Sequence, residues 1–122
     1  MISPPYPVTD DHIHIDPVNG RGMEAVKDFY RAGGTHLFLV SKPSWSLGVH
    51  PTSGNDYRQV FDETIRIAAL IQETGVTAYT ILGVHPAEIS RLTERMSLSE
   101  AVIVMKGGID CAARYVQEGT AV

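Results

Sequence analysis

The chain is poor in the features that mark secreted, membrane-spanning and nucleic-acid-coating proteins. Cys111 is its one cysteine, so no intramolecular disulfide can form and nothing points to an oxidising compartment. Such a lone thiol is expected buried on a helix, packed as a small hydrophobe. No apolar run reaches membrane-spanning length, and Met1 to Pro7 lacks a basic region followed by an apolar one, which predicts a cytoplasmic protein with no membrane partner. No cluster of five or more lysines and arginines occurs, and ten basic against fourteen acidic side chains leave a formal net charge of -4. Sequence-independent grip on a phosphate backbone is therefore not expected, so a nucleic-acid end would have to be held by a metal and a small pocket. A serine or cysteine nucleophile elbow, a phosphate-cradling glycine loop and a zinc knuckle are also missing.

What remains is an ordinary globular composition. With 43% hydrophobic and 20% charged residues, neither disorder nor a fibrous repeat is indicated. A length of 122 residues allows one core and one domain. Three similar turns organise that domain: Arg31-Ala32-Gly33-Gly34-Thr35, Glu73-Thr74-Gly75-Val76-Thr77 and Gln117-Glu118-Gly119-Thr120. In each, a glycine stands where a helix would stop and β-branched or aromatic residues follow, as in a helix-to-strand connection. Gly33, Gly75 and Gly119 recur at intervals of 42 and 44 residues, so three βα units follow one another.

Strands are expected at Val8 to Ile15, Leu37 to Ser41 and Ala78 to Val84, with a fourth beginning at Thr120. As short apolar runs they suit strands buried on both faces. A first helix is expected from Met23 to Ala32, burying Val26, Phe29 and Tyr30. A second starts near Asp56, with Val60, Phe61, Thr64, Ile67, Ala68 and Ile71 on its apolar side. A third opens with the capping-box spacing Ser97-Leu98-Ser99-Glu100, and its apolar stripe takes in Leu98, Ala101, Val102, Met105, Ile109, Ala113 and Val116. Gly107-Gly108 is a candidate kink in it. The fold class is α/β, consecutive βα units with parallel strands.

The strand-to-helix connections, Lys42 to Asn55 and His85 to Ser97, are the long ones. Active sites of parallel α/β proteins lie on that face, at the C-terminal ends of the strands. There the sequence places Asp10-Asp11-His12-Ile13-His14-Ile15-Asp16. In a strand, Asp10, His12, His14 and Asp16 would share one face, with Asp11, Ile13 and Ile15 on the other. Two imidazoles converging on one point make half a metal site, since a stable site needs three or four protein ligands. Asp10 or Asp16 could orient a ligating ring by accepting its second N–H.

His85, between Leu82-Gly83-Val84 and Pro86, stands where the third strand breaks into a loop and could contact substrate or a bound ion. Leu-Gly-Val-His-Pro also occurs at Leu47 to Pro51, inside a loop, and is taken as coincidence. His50 could nevertheless reach the site from the longest loop on that face. His36 begins the second strand at the opposite end and is expected to be structural. Lys42 could hold a phosphate or carboxylate but is expected to be solvated. Trp45 either lines a pocket or pins its loop.

The Asp10 to Asp16 stretch together with Gly83-Val84-His85-Pro86 resembles the N-terminal half of the TatD-related metal-dependent hydrolases, TIM barrels of the amidohydrolase superfamily. The likeness is greatest to an archaeal TatD-like group, with further support from Asn19-Gly20-Arg21-Gly22, Ala32-Gly33-Gly34-Thr35-His36 and Ser41-Lys42-Pro43-Ser44-Trp45. The resemblance implies hydrolysis of phosphodiester or related bonds by metal-activated water. It implies one or two divalent ions (zinc, magnesium, manganese or similar), His12 and His14 as metal ligands and His85 as a catalytic residue near substrate. A small phosphorylated substrate or a nucleic-acid end would be the partner. In relatives the other ligands come from the fourth and later strands, whereas this sequence stops at Val122, and an eight-stranded barrel needs about 250 residues. The expected fold is thus the N-terminal half of a TIM barrel, either a truncated or a naturally short chain. Its exposed sheet edges would favour self-association. The alternatives are a PHP-type phosphoesterase, whose first strand carries a like Asp-x-His-x-His pattern, and a non-catalytic self-associating half-barrel.

Overall fold

A computed structural model describes residues 6–122. Met1 to Pro5, part of the segment searched above for a targeting signal, lies outside them. Strands β1 (Thr9–Ile13), β2 (His36–Val40) and β3 (Thr77–Ile81) alternate with helices α1 (Met23–Arg31), α2 (Arg58–Glu73), α3 (Glu88–Leu92) and α4 (Leu98–Gln117). The strands form one parallel sheet in the order β1-β2-β3, as the glycine repeat requires. Gly33, Gly75 and Gly119 all adopt positive φ, the left-handed conformation in which glycine ends a helix and lets the next strand turn back. Beyond the third such turn the Val122 N–H donates to the Thr80 carbonyl at 2.9 Å. The chain after α4 thus returns to the edge of β3, and the architecture of three parallel strands alternating with helices is half of a TIM barrel.

The regular ladder is shorter than the apolar runs suggest. β1 ends at Ile13, and within it the four residues Asp10 to Ile13 span what the three residues Leu37 to Leu39 span on β2. This bulge re-aims the following side chains. β3 ends at Ile81, after which the Ser41 hydroxyl bonds both the N–H and the carbonyl of Gly83, each at 3.1 Å, replacing a backbone partner.

One face of the sheet is covered and the other is open, which corrects the expectation of burial on both. Leu37, Leu39, Ile15 and Val76 pack against Val26 of α1 and Ile67, Ala68 and Ile71 of α2 in one core cluster. On the opposite face Tyr79 stacks on Phe38 and His36 yet stays 40% exposed. A strand that looks doubly buried in sequence is single-faced here because no further strand among the described residues curls over it.

A second cluster lies beyond the sheet, where Tyr57, Val60, Phe61, Leu92, Cys111 and Tyr115 are packed together. The Cys111 thiol is buried, as expected, and burial pushes its pKa up. Two helix faces differ from expectation. Tyr30 points outward from α1 and covers Gly75. In α4 the buried side is Ala101, Val104, Gly108, Cys111, Ala112 and Tyr115, while Leu98 and Ile109 are 64% and 54% exposed. The reason is Gly107-Gly108, which does not interrupt the helix. A Cβ on Gly54 would land on the Gly107 backbone, and one on Gly108 would stand 2.7 Å from both Tyr57 and Val84. The small residues turn inward so that the 3₁₀ turn Gly54–Tyr57 can lie against the helix.

Candidate functional site

The three strand ends bring His12, His14 and His85 to one open cleft of about 280 Å³, whose walls include Val40, Ser41 and the segment Ile81 to Pro86. The structure thus places the three histidines singled out in the sequence on one cleft. The His12 and His14 rings lie 5.2 Å apart between centroids, nearly perpendicular at 75°.

Backbone contacts fix two of the three rings in complementary ways. His14 Nδ1 lies 2.9 Å from the Val40 carbonyl oxygen. A carbonyl only accepts, so this nitrogen carries the proton and the Nε2 lone pair is left for an ion. His85 shows the reverse, because its Nδ1 accepts the Ala87 N–H at 3.0 Å. Its Nε2 then carries the proton and can donate into the cleft. The same residue type thus offers a ligand at one position and a hydrogen-bond donor at the other.

Neither acid acts as a ring orienter. Asp10 accepts the His12 backbone N–H at 3.0 Å, holding the bulge rather than an imidazole. Asp16 pairs with Lys42 and accepts the Val18 and Asn19 N–H groups at 2.8 and 2.9 Å. The Lys42 bond, then the Asn19 and Val18 N–H bonds, hold its carboxyl well below the usual carboxylate range. The expectation of a solvated Lys42 fails for the same reason: its side chain is 13% exposed and is tied to the loop after β1. The ammonium does not line the histidine cleft. Among the described residues no group of three or more His, Cys, Asp or Glu side chains converges as a metal site. His12 and His14 fit a divalent ion as two of the three or four donors it needs.

His50 stands apart. It lines a separate cleft of about 210 Å³ with Trp45, Glu88 and Arg91, so the longest loop does not bring it to His12 and His14. The two Leu-Gly-Val-His-Pro copies also differ in backbone: Gly48 takes φ 70° at the end of a 3₁₀ turn, whereas Gly83 has no positive φ. His36 is structural as expected, with Nδ1 2.7 Å from the Thr35 hydroxyl. Trp45 sits edge-on to His85 at 5.9 Å, with Arg91 over its ring at 4.7 Å. It therefore both pins its loop and lines a cleft.

The residue that the sequence did not bring forward is Glu88. It is 1% exposed, and its carboxylate accepts from the Ser44 N–H and hydroxyl at 2.8 Å each and from the Tyr57 hydroxyl at 3.1 Å. This one side chain ties α3 to the turns after β2 and before α2, and so sets the position of Trp45 beside His85. Its only sequence signal is an acid directly after His85-Pro86-Ala87, indistinguishable from a solvated helix-start glutamate.

The structure is thus a parallel α/β half-barrel with three histidines gathered at the C-terminal ends of its strands. Comparison with known proteins gives the family. The TatD related DNase family matches residues 9–115, and the chain belongs to it. This sets aside the PHP-type alternative. An uncharacterized protein of Methanocaldococcus jannaschii is 38% identical over 114 residues, covering 92% of this chain and 38% of that relative. The chain thus spans well under half of the relative's length. No solved structure gives a significant match. No helix among the described residues is long and apolar enough to cross a membrane.

Proposed function

We propose that this chain carries the strand-one metal ligands and a substrate-contacting histidine of a metal-dependent phosphodiester hydrolase. The observation that carries the reading is the opposite anchoring of His14 and His85 on a single cleft. His14 Nε2, held by the Nδ1 bond to Val40, and the neighbouring His12 would bind the ion. His85, fixed by Ala87, would donate Nε2–H to a phosphoryl oxygen. When bound, one or two divalent ions lower the pKa of water toward neutrality and polarise the group under attack. The family's designation as TatD related DNases supports a nucleic-acid end as substrate, and a cytoplasmic location accompanies that reading. With two donors here, the remaining ligands would come from outside these residues, so hydrolysis by the 122-residue chain alone is expected to be weak.

The direct experiment is elemental analysis of protein purified without chelator, compared with a His12→Ala, His14→Ala variant, alongside hydrolysis of bis(p-nitrophenyl) phosphate. Divalent metal and diesterase activity that both disappear in the variant support the assignment. Metal retained unchanged by the variant overturns it.

A second reading, self-association of a non-catalytic half-barrel, is supported by the open sheet face bearing Phe38 and Tyr79. The occupant would be a second copy, and a monomeric mass by light scattering at micromolar concentration would count against it.

A further inference from the structure

The second cleft is built differently from the first, and Trp45 on one touches His85 on the other. Trp45, His50, Arg91 and Arg95 line the second, with Glu88 and Glu94. Both Glu88 oxygens are already taken by Ser44 and Tyr57, and Glu94 is at the exposed surface. Elsewhere Arg21, Arg31 and Arg66 are each paired with a carboxylate. Arg91 and Arg95, like Arg58 and Arg114 outside the cleft, form no such pair among the described residues. The Arg91 guanidinium lies over the Trp45 ring at 4.7 Å, and Arg95 spends one N–H on the Pro51 carbonyl at 2.9 Å. Each guanidinium has five donors, so most of them remain for a ligand.

Trp45 lines this cleft while its neighbour His85 lines the histidine cleft, with their ring centroids 5.9 Å apart. We propose that this second cleft is a phosphate subsite for the nucleotide next to the one being cleaved, so that the ligand is a single-stranded nucleic acid. The inference rests on the phosphodiesterase reading for its direction along the strand. The chemistry of the cleft stands separately: two carboxylate-free guanidiniums, an imidazole and an indole are suited to a phosphate with an adjoining base or sugar. The net charge of -4 and the lack of a basic run leave no grip along a duplex, and the cleft holds a short stretch only.

The test is binding of a fluorescein-labelled oligothymidylate to the protein in excess chelator, followed by anisotropy across a salt series. Arg91→Ala should weaken binding about tenfold, the worth of one charge-assisted hydrogen bond. It should also flatten the plot of log affinity against log salt by about 0.7, the value for one single-strand phosphate. Arg114→Ala, which removes a like charge from the far end of α4, should change affinity less than about twofold. Arg91→Lys should keep the salt slope. Equal losses for the Arg91 and Arg114 variants, or no binding by the wild-type protein, would overturn the subsite. Metal content left unchanged by the His12→Ala, His14→Ala variant, with this binding intact, would fault the histidine assignment instead.

Discussion

His14 Nδ1 stands 2.9 Å from the carbonyl oxygen of Val40, a bond between the residue after β1 and the last residue of β2. Sheet formation itself therefore selects the tautomer of a candidate ligand. Long-range 15N–1H correlation spectra, taken where both rings are neutral, should show His14 as the Nδ1–H tautomer and His85 as the Nε2–H tautomer. The same tautomer for both would remove the distinction between ligand and donor.

Glu88 should be among the costliest polar residues to truncate. Glu88→Ala strands the Ser44 N–H and the Ser44 and Tyr57 hydroxyls in a buried place, which is expected to cost about 3 kcal/mol. Glu88→Gln keeps an acceptor and should cost about 1 kcal/mol. Urea midpoints compare them, and equal values would deny that satisfaction of those donors is the cause.

Gly54 admits no side chain. Gly54→Ala drives a methyl into the Gly107 backbone and should destabilise by about 3 kcal/mol, the upper range for overpacking. Gly83→Ala, with nothing within 4 Å of the added carbon, should stay within about 0.5 kcal/mol of wild type. A tolerant Gly54 would mean that the turn and α4 part easily.

Alkaline pH should loosen the second core through Tyr115. Burial, then the Asp62 hydrogen bond, push its phenol up to about 12, against about 10 in an unfolded chain. The folded state retains a proton that the unfolded state gives up, so this stabilisation is complete below pH 10 and is lost as pH rises toward 12. Tyr115→Phe should flatten the fall in urea midpoint between those values. An unchanged slope would place the effect elsewhere.

Much of this was legible from residues because glycine spacing and strand periodicity are local signals. Gly33, Gly75 and Gly119 fixed the order of units, and His12, His14 and His85 were readable as strand-end residues. The buried side of α4 was not, because it depends on a distant turn meeting Gly107 and Gly108 in space. Lys42 and Asp16 were misread for a like reason: 26 residues separate them, and an ion pair leaves no pattern along the chain. Glu88 was silent because three donors from two other segments, not its neighbours, make its burial tolerable.

Trp45 is the molecule's one tryptophan, and it stands between an imidazole on one cleft and a guanidinium on the other. That placement makes it an intrinsic fluorophore for both sites. An ion or phosphoryl group that alters His85, and an anion that draws Arg91 off the indole ring, would each change its emission. Occupancy of either cleft can thus be followed without a label, in the native chain.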